Sequence, residues 1–385
     1  MKALIPVFLC FILAATGFYS CTGKKQNSDI NWDAFNEEAE THADRADSYA
    51  ADGDYDRAIE EYNLALKAAP DGSYQIGGIH LRLGLVYDDM EDSGLAIEEY
   101  TKALDSGVSS AYLNRGLIYY YSGDYTAAIA DLTEYVNAQE DDFDDGCWYF
   151  RGMAYQELED YDSAISDYSE YIRCRPDDTE GFLMRALAYA EIKKYRLAVA
   201  DCSEAINLGG GDDEYFHTLR GEFYSKLGEH APAIEDYSWV LANFSDADER
   251  TADLHYRRGY AHAQLGHNDL AIKDYSDSLA IEPYAHVYEA RGQIYLERGD
   301  FARAASDFTL YIQSAENDPW AYYFRAQAYE GTGDWEKAIS DCNKCIALDP
   351  ENGYAHQIRG ECYLQLGDED NAAADFEAAE NLNDL

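Results

Sequence analysis

The chain has 385 residues, of which 75 are acidic and 29 basic, giving a formal net charge of −46. A surplus of that size argues against a nucleic-acid backbone as partner and against adhesion to an anionic lipid face through basic patches. With only seven prolines and no strand-like alternation, the chain reads as all-helical, its acids forming a solvated outer face or one that attracts a basic partner.

The first element is the N-terminal segment. Met1-Lys2 precedes an apolar run from Ala3 to Phe18, short for a membrane-spanning helix and suited to the core of a signal peptide. Tyr19, Ser20 and Cys21 follow, so a small residue stands directly before a cysteine. This ending resembles the bacterial lipoprotein processing signal, with Phe18 where that family usually has leucine. The resemblance implies a signal peptide over 1–20, Cys21 as the first mature residue and carrier of the acyl chains, and anchoring in the cell envelope with the rest facing the periplasm. Ordinary cleavage and an uncleaved anchor are the alternatives. Thr22 is not an acidic inner-membrane retention signal, which favours the outer membrane, and residues 21–38 read as a polar tether.

From residue 39 a unit of about 34 residues recurs ten times. The spans are 39–72, 77–110, 109–142, 145–178, 179–212, 214–247, 252–285, 285–318, 319–352 and 353–385. The small residue at unit position 8 is Ala46, Gly84, Gly116, Gly152, Ala186, Gly221, Gly259, Gly292, Ala326 or Gly360. Tyr or His follows at position 11, Ala at 20, an aromatic or similar residue at 24, and Pro at 32 in Pro70, Pro176, Pro283 and Pro350. Within each unit two stretches of helical periodicity flank a turn such as Ser122-Gly123-Asp124, which predicts a helical hairpin, helix A then helix B. A hairpin this short cannot bury its apolar face alone, so its neighbours must stack. The pattern resembles the tetratricopeptide repeat family, which implies an all-α solenoid of about ten hairpins wound as a superhelix, with a concave groove.

Outside Cys10 and Cys21 six cysteines remain. Cys202, Cys342, Cys345 and Cys362 fall at packing positions and read as small core residues, so the Cys342-x-x-Cys345 pair is not read as a redox or metal motif. Arg recurs at position 7 and Asp or Glu at 23. Glu99, Asp131, Asp167, Asp201, Asp236, Asp274, Asp307 and Asp341 are each followed by an arginine of the next unit, from Arg115 to Arg359, and the expectation is a bridge across every inter-repeat joint. Such recurrence speaks for architecture, since an active site is needed only once.

No catalytic constellation, cofactor motif or metal site is expected. The nine histidines read as scattered, Gly209-Gly210-Gly211 lacks the Lys-Ser or Lys-Thr of a phosphate loop, and the acidic string 141–146 has Phe143 and Gly152 where a calcium loop needs acids. An enzyme is therefore not expected.

In the resembled family the groove is lined by positions 2, 5, 9, 12 and 13 of helix A. Here those positions give Tyr120, Tyr121, Tyr149, Tyr215, Tyr256, Tyr260, Trp320, Tyr323 and Tyr354, accompanied by Glu157, Glu191, Glu222, Asp253, Glu289, Glu297, Glu330 and Glu361, with Lys226 almost the only base. The Lys, Arg and Asn clamp of chaperone-tail binders is missing. Aromatics beside carboxylates suit a protein segment with apolar and basic side chains, bound to a lipid-anchored adaptor of the envelope. The alternative is capture of a small molecule or glycan for a membrane transporter, which needs a sealed cavity rather than an open channel.

Overall fold

The computed structural model describes residues 36–138, 144–209, 213–244, 246 and 248–383. The expected signal peptide, Cys21 and most of the tether lie outside the described residues, as do residues 141–143 of the acidic string 141–146. Every regular element among the described residues is an α-helix, twenty in all, and they pair into ten hairpins.

The chain divides into two compact units near residue 171. The first holds α1 (Glu37–Ala51) with α2 (Tyr55–Ala68), α3 (Tyr74–Asp89) with α4 (Ser93–Asp105), α5 (Ala111–Ser122) with α6 (Tyr125–Ala138), and α7 (Gly146–Glu157) with most of α8 (Tyr161–Cys174). The second holds α9 (Thr179–Glu191) with α10 (Tyr195–Leu208), α11 (Asp213–Lys226) with α12 (His230–Asn243), and α13 (Glu249–Gln264) with α14 (Asn268–Ile281). Its chain continues through α15 (Ala285–Glu297) with α16 (Phe301–Ile312), α17 (Pro319–Thr332) with α18 (Trp335–Leu348), and α19 (Gly353–Gln365) with α20 (Glu369–Asn383). Within each unit helix B of one hairpin packs on helix A of the next, and successive A helices such as α15, α17 and α19 also touch, so the A helices line one side of the stack.

Each hairpin turns at a residue with positive φ at unit position 15. Seven of these are glycines, from Gly53 to Gly367, and three are Glu91, Glu159 and Lys193 with φ near +60°. The residue after the turn is usually Asp, and its carboxylate caps helix B. Asp92 accepts from the Leu95 amide at 3.1 Å and Asp124 from that of Ala127 at 3.0 Å.

The hairpin interior follows from side-chain size. Position 20 is a buried alanine throughout, from Ala58 to Ala372. Where position 24 is a ring, it lies against the position-8 glycine: a Cβ on Gly221 would sit 2.7 Å from Tyr237 and one on Gly152 2.8 Å from Tyr168. Two hairpins carry alanine instead, Ala186 and Ala326, and their position-24 residues are the buried cysteines Cys202 and Cys342. Volume is thus conserved across the contact by exchanging a methyl on one side for a ring on the other. Ala46 beneath Tyr62 and Gly116 opposite Leu132 depart from this pairing. The six cysteines of the described residues are free thiols, five of them buried. Burial pushes Cys147, Cys202 and Cys362 up to about 12 and Cys345 up to about 11, which makes them unreactive packing groups.

The arginine bridges run differently from the sequence expectation. Each Asp at position 23 pairs with the arginine of its own hairpin, 16 residues earlier, and not with that of the next. Arg115 donates from Nε and Nη2 to Asp131 at 2.7 and 2.8 Å, and Arg220 does so to Asp236 at 2.9 and 2.6 Å. The same fork closes Arg151 on Asp167, Arg185 on Asp201, Arg258 on Asp274, Arg291 on Asp307, Arg325 on Asp341 and Arg359 on Asp375. The inter-repeat joint is reached by the third guanidinium nitrogen. Nη1 donates to a hydroxyl on the preceding helix B, Arg115 to Thr101 at 2.8 Å and Arg291 to Ser276 at 2.8 Å. Glu99, in the one hairpin with Leu83 at position 7, pairs with His80 and Lys102.

Position 4 completes the motif. In five hairpins it is an aromatic ring under the arginine, as in Trp148 beneath Arg151, whose guanidinium carbon lies 4.9 Å from the ring centroid. In the other five it is histidine: His42, His80, His217, His255 and His356 each bring Nδ1 to the position-23 acid, at 2.6 Å for His217 on Asp236. Five of the nine histidines are therefore placed by the repeat and are not scattered.

Candidate functional site

The A-helix side brings the expected groove residues together in local groups. In the first unit Tyr120 and Tyr121 meet at 5.4 Å between centroids, and both contact Phe150, at 5.8 and 6.1 Å. Tyr149 also touches Phe150 but packs down on Tyr171 at 5.3 Å, so its ring serves the hairpin. Tyr121 is 68 % exposed. Burial raises the Tyr120 phenol above its ordinary value, with Glu157 adding to the effect.

In the second unit, Tyr215 is exposed and its ring neighbour is the adjacent Phe216. Tyr256 stands edge-on to His286 at 4.6 Å and packs on the core ring Tyr275, while Tyr260 lies 6.2 Å from His230. The densest group is Trp320, Tyr323 and Tyr354, with centroids 5.4 to 6.3 Å apart over Phe324. Trp320 is 42 % and Tyr354 54 % exposed, an aromatic ledge shared by α17 and α19.

Two basic side chains on this side stand at unit position 6, outside the positions that line the groove in the resembled family. Arg82 reaches Glu40 and Asp47 on α1 at 3.2 and 3.4 Å. Arg257 reaches Glu222 on α11 at 3.0 Å and Asp253 on its own helix at 2.5 Å. Lys226 is therefore not the main base of this face. The consecutive arginines 257 and 258 were the available signal, one serving the hairpin and the other the face.

Beside the Trp320 ledge the carboxylates are not neutralised in this way. Burial, and then the neighbouring Glu361, push the Glu330 carboxyl up to about 7. Glu289 is likewise raised by burial and by Asp318.

His255, Asp274 and Asp277 stand close enough for a divalent ion. Both Asp274 oxygens, however, already accept from Arg258, at 2.9 and 2.6 Å, and Asp277 pairs with Lys273 at 2.9 Å, so the donor set is spent on structural bonds. Concavities of about 370 and 400 Å³ occur at the turns around Arg298–Ala302 and Asp52–Asp56; both are open to solvent and neither includes a groove aromatic. No helix among the described residues is long and apolar enough to cross a membrane.

Models of the tetratricopeptide repeat match residues 39–71, 81–145, 149–213, 219–286, 256–319, 319–352 and 354–384. No curated protein matches the chain. Among solved structures it is similar to MamA, residues 41 to the end, from Desulfovibrio magneticus RS-1, at 24 % identity over 45 % of this chain and 96 % of that one, with a TM-score of 0.42. It is also similar to MamA AMB-1, at 21 % identity over 44 % and 92 % with a TM-score of 0.41, and to a further crystal structure of MamA protein, at 22 % over 45 % and 93 % with a TM-score of 0.42. With family models matching well over half of its length, the chain belongs to the tetratricopeptide repeat family and is a scaffold for protein–protein interaction.

Proposed function

We propose that this protein is a lipid-anchored adaptor of the bacterial cell envelope, tethered through Cys21 in the outer membrane, which holds a protein segment along the A-helix side of its repeats in the periplasm. The observation that carries the docking part is the ledge of Trp320, Tyr323 and Tyr354. Tyr323 packs in part on the core between neighbouring hairpins, while Trp320 and Tyr354 keep 42 % and 54 % of their surface exposed. Rings that the fold does not consume are the usual anchors of a protein interface. The anchoring part is supported by the sequence signal at residues 3–21.

The test has two arms. Photo-crosslinkers at positions 320 and 354 should trap one defined protein in intact envelopes, and replacing Tyr256, Tyr260, Trp320 and Tyr323 by alanine should release it while the helical signal is kept. Cys21→Ala should move the protein out of the membrane fraction. A partner retained by the quadruple variant would refute the docking face, and unchanged fractionation of Cys21→Ala would refute the anchor.

A further inference from the structure

One hairpin departs from the repeat at two positions together. Unit position 11 is tyrosine in nine hairpins, and position 16, just past the turn, is aspartate in seven. In the hairpin of α13 and α14 these positions are His262 and His267. A carboxylate at position 16 caps helix B elsewhere, as Asp92 and Asp124 do, whereas His267 makes no cap bond to α14. Its ring is therefore not engaged by the helix it precedes.

The two imidazoles converge across the turn at Gly266, with ring centroids 5.7 Å apart and Nδ1 facing Nδ1 at 3.5 Å. A well-formed hydrogen bond is shorter, about 2.7–3.2 Å. Two nitrogen ligands of a tetrahedral ion, each bound at about 2.0–2.1 Å, stand about 3.3–3.4 Å from one another, close to the spacing seen here. The other edge of the His262 ring sets which nitrogen is free. Its Nε2 lies 3.9 Å from Oδ2 of Asp274, a carboxylate whose two oxygens accept from Arg258 at 2.9 and 2.6 Å. That neighbour favours the proton on Nε2 and leaves the Nδ1 lone pair directed at His267, the way a carboxylate orients a metal-bound imidazole from behind.

Access and selectivity agree with this. The His262 side chain is mostly buried and held in the hairpin, while His267 is exposed, so an ion can enter from solvent. Unlike the donors of His255, Asp274 and Asp277, these two nitrogens have only each other as partners across the turn. Imidazole suits borderline ions such as Zn²⁺, Ni²⁺ and Cu²⁺ and not Mg²⁺ or Ca²⁺. The net charge of −46 raises the concentration of all cations around the chain.

We propose that His262 and His267 form a binding site for a divalent transition ion of the zinc class, which takes Nδ1 of both rings, clips α13 to α14 across the turn and keeps its remaining positions for water.

The experiment uses the full chain, produced without a histidine tag and labelled with ¹³C at histidine Cε1, titrated with Zn²⁺ in excess Mg²⁺. The Mg²⁺ occupies surface carboxylates and takes no imidazole. The expected result is that the Cε1 resonances of His262 and His267 shift together, that amide exchange slows at the turn between them, and that affinity falls at least about tenfold in His267→Ala and in His262→Tyr with His267→Asp. The double variant restores the residue types of the other hairpins and so preserves the fold, which helical signal and melting temperature verify. Unchanged zinc affinity in both variants, a shift of His255 without these two histidines, or no response of either ring to Zn²⁺ would overturn the site.

Discussion

Replacement of Asp274 by alanine tests the intra-hairpin bridge most directly. Asp274 is buried, accepts from Arg258 at 2.9 and 2.6 Å, and lies 3.4 Å from His255. Burial alone would raise its pKa, but hydrogen bonds from His255 and Arg258 outweigh that and hold it below the ordinary carboxylate value. Its loss leaves Arg258 largely buried with only the bond to Ser238, at 3.2 Å, and removing one partner of a buried pair costs about 3–5 kcal/mol. Repeat arrays do not unfold as one two-state unit, so a global melt would blur the effect. Amide hydrogen exchange reads it locally: protection in α13 and α14 should fall by about two orders of magnitude, the equivalent of about 3 kcal/mol. A double-mutant cycle identifies the partner. Asp274→Ala with Arg258→Ala should show a coupling of about 2 kcal/mol, whereas Asp274→Ala with Arg291→Ala, the arginine of the next hairpin, should be additive within about 0.5 kcal/mol. A coupling to Arg291 as large as that to Arg258 would refute the assignment.

Three further outcomes are expected. Gly221→Ala should destabilise its hairpin by about 1–3 kcal/mol, because the new methyl would sit 2.7 Å from the Tyr237 ring, and adding Tyr237→Cys should recover most of the loss by recreating the Ala and Cys pairing of Ala186 with Cys202; urea melts of the three variants decide it. Glu159→Gly should stabilise by about 0.5–1 kcal/mol, since φ is +61° there, and a lower melting temperature would contradict the turn assignment. Glu330, raised to about 7 from its ordinary 4.5, binds more protons in the folded than in the unfolded protein between those values, so its contribution to stability falls as pH rises through that window. Thermal melts from pH 4.5 to 8 should show this slope in the native chain and a shallower one in Glu330→Gln.

Much of the fold is legible in the residues because it depends on short-range, recurring choices. Helical periodicity in two runs per unit and an alanine at position 20 recur in all ten units, and a small residue at 8 opposite a ring at 24 and a Gly-Asp turn recur in many of them; each acts within one hairpin. The arginine partner was not legible in that way. Asp131 lies 16 residues after Arg115 and 20 before Arg151, and offsets so alike do not distinguish the two. The position-4 histidines were hidden for a related reason: their link to the acid spans 19 residues and two helices, as in His217 with Asp236.

What the sequence determined by itself was the hairpin, its repetition, the acidity of the surface and which positions could line the A-helix side. Only the tertiary structure decided which of those positions are free. Tyr149 is spent against Tyr171, while Trp320 and Tyr354 keep their rings partly exposed. Likewise Glu222 is neutralised by Arg257, and Glu330 is left facing Glu361. The physical reason is that ring exposure and the balance of facing charges are set between adjacent hairpins, by which helix face meets which, and a repeat pattern read one unit at a time does not contain that relation.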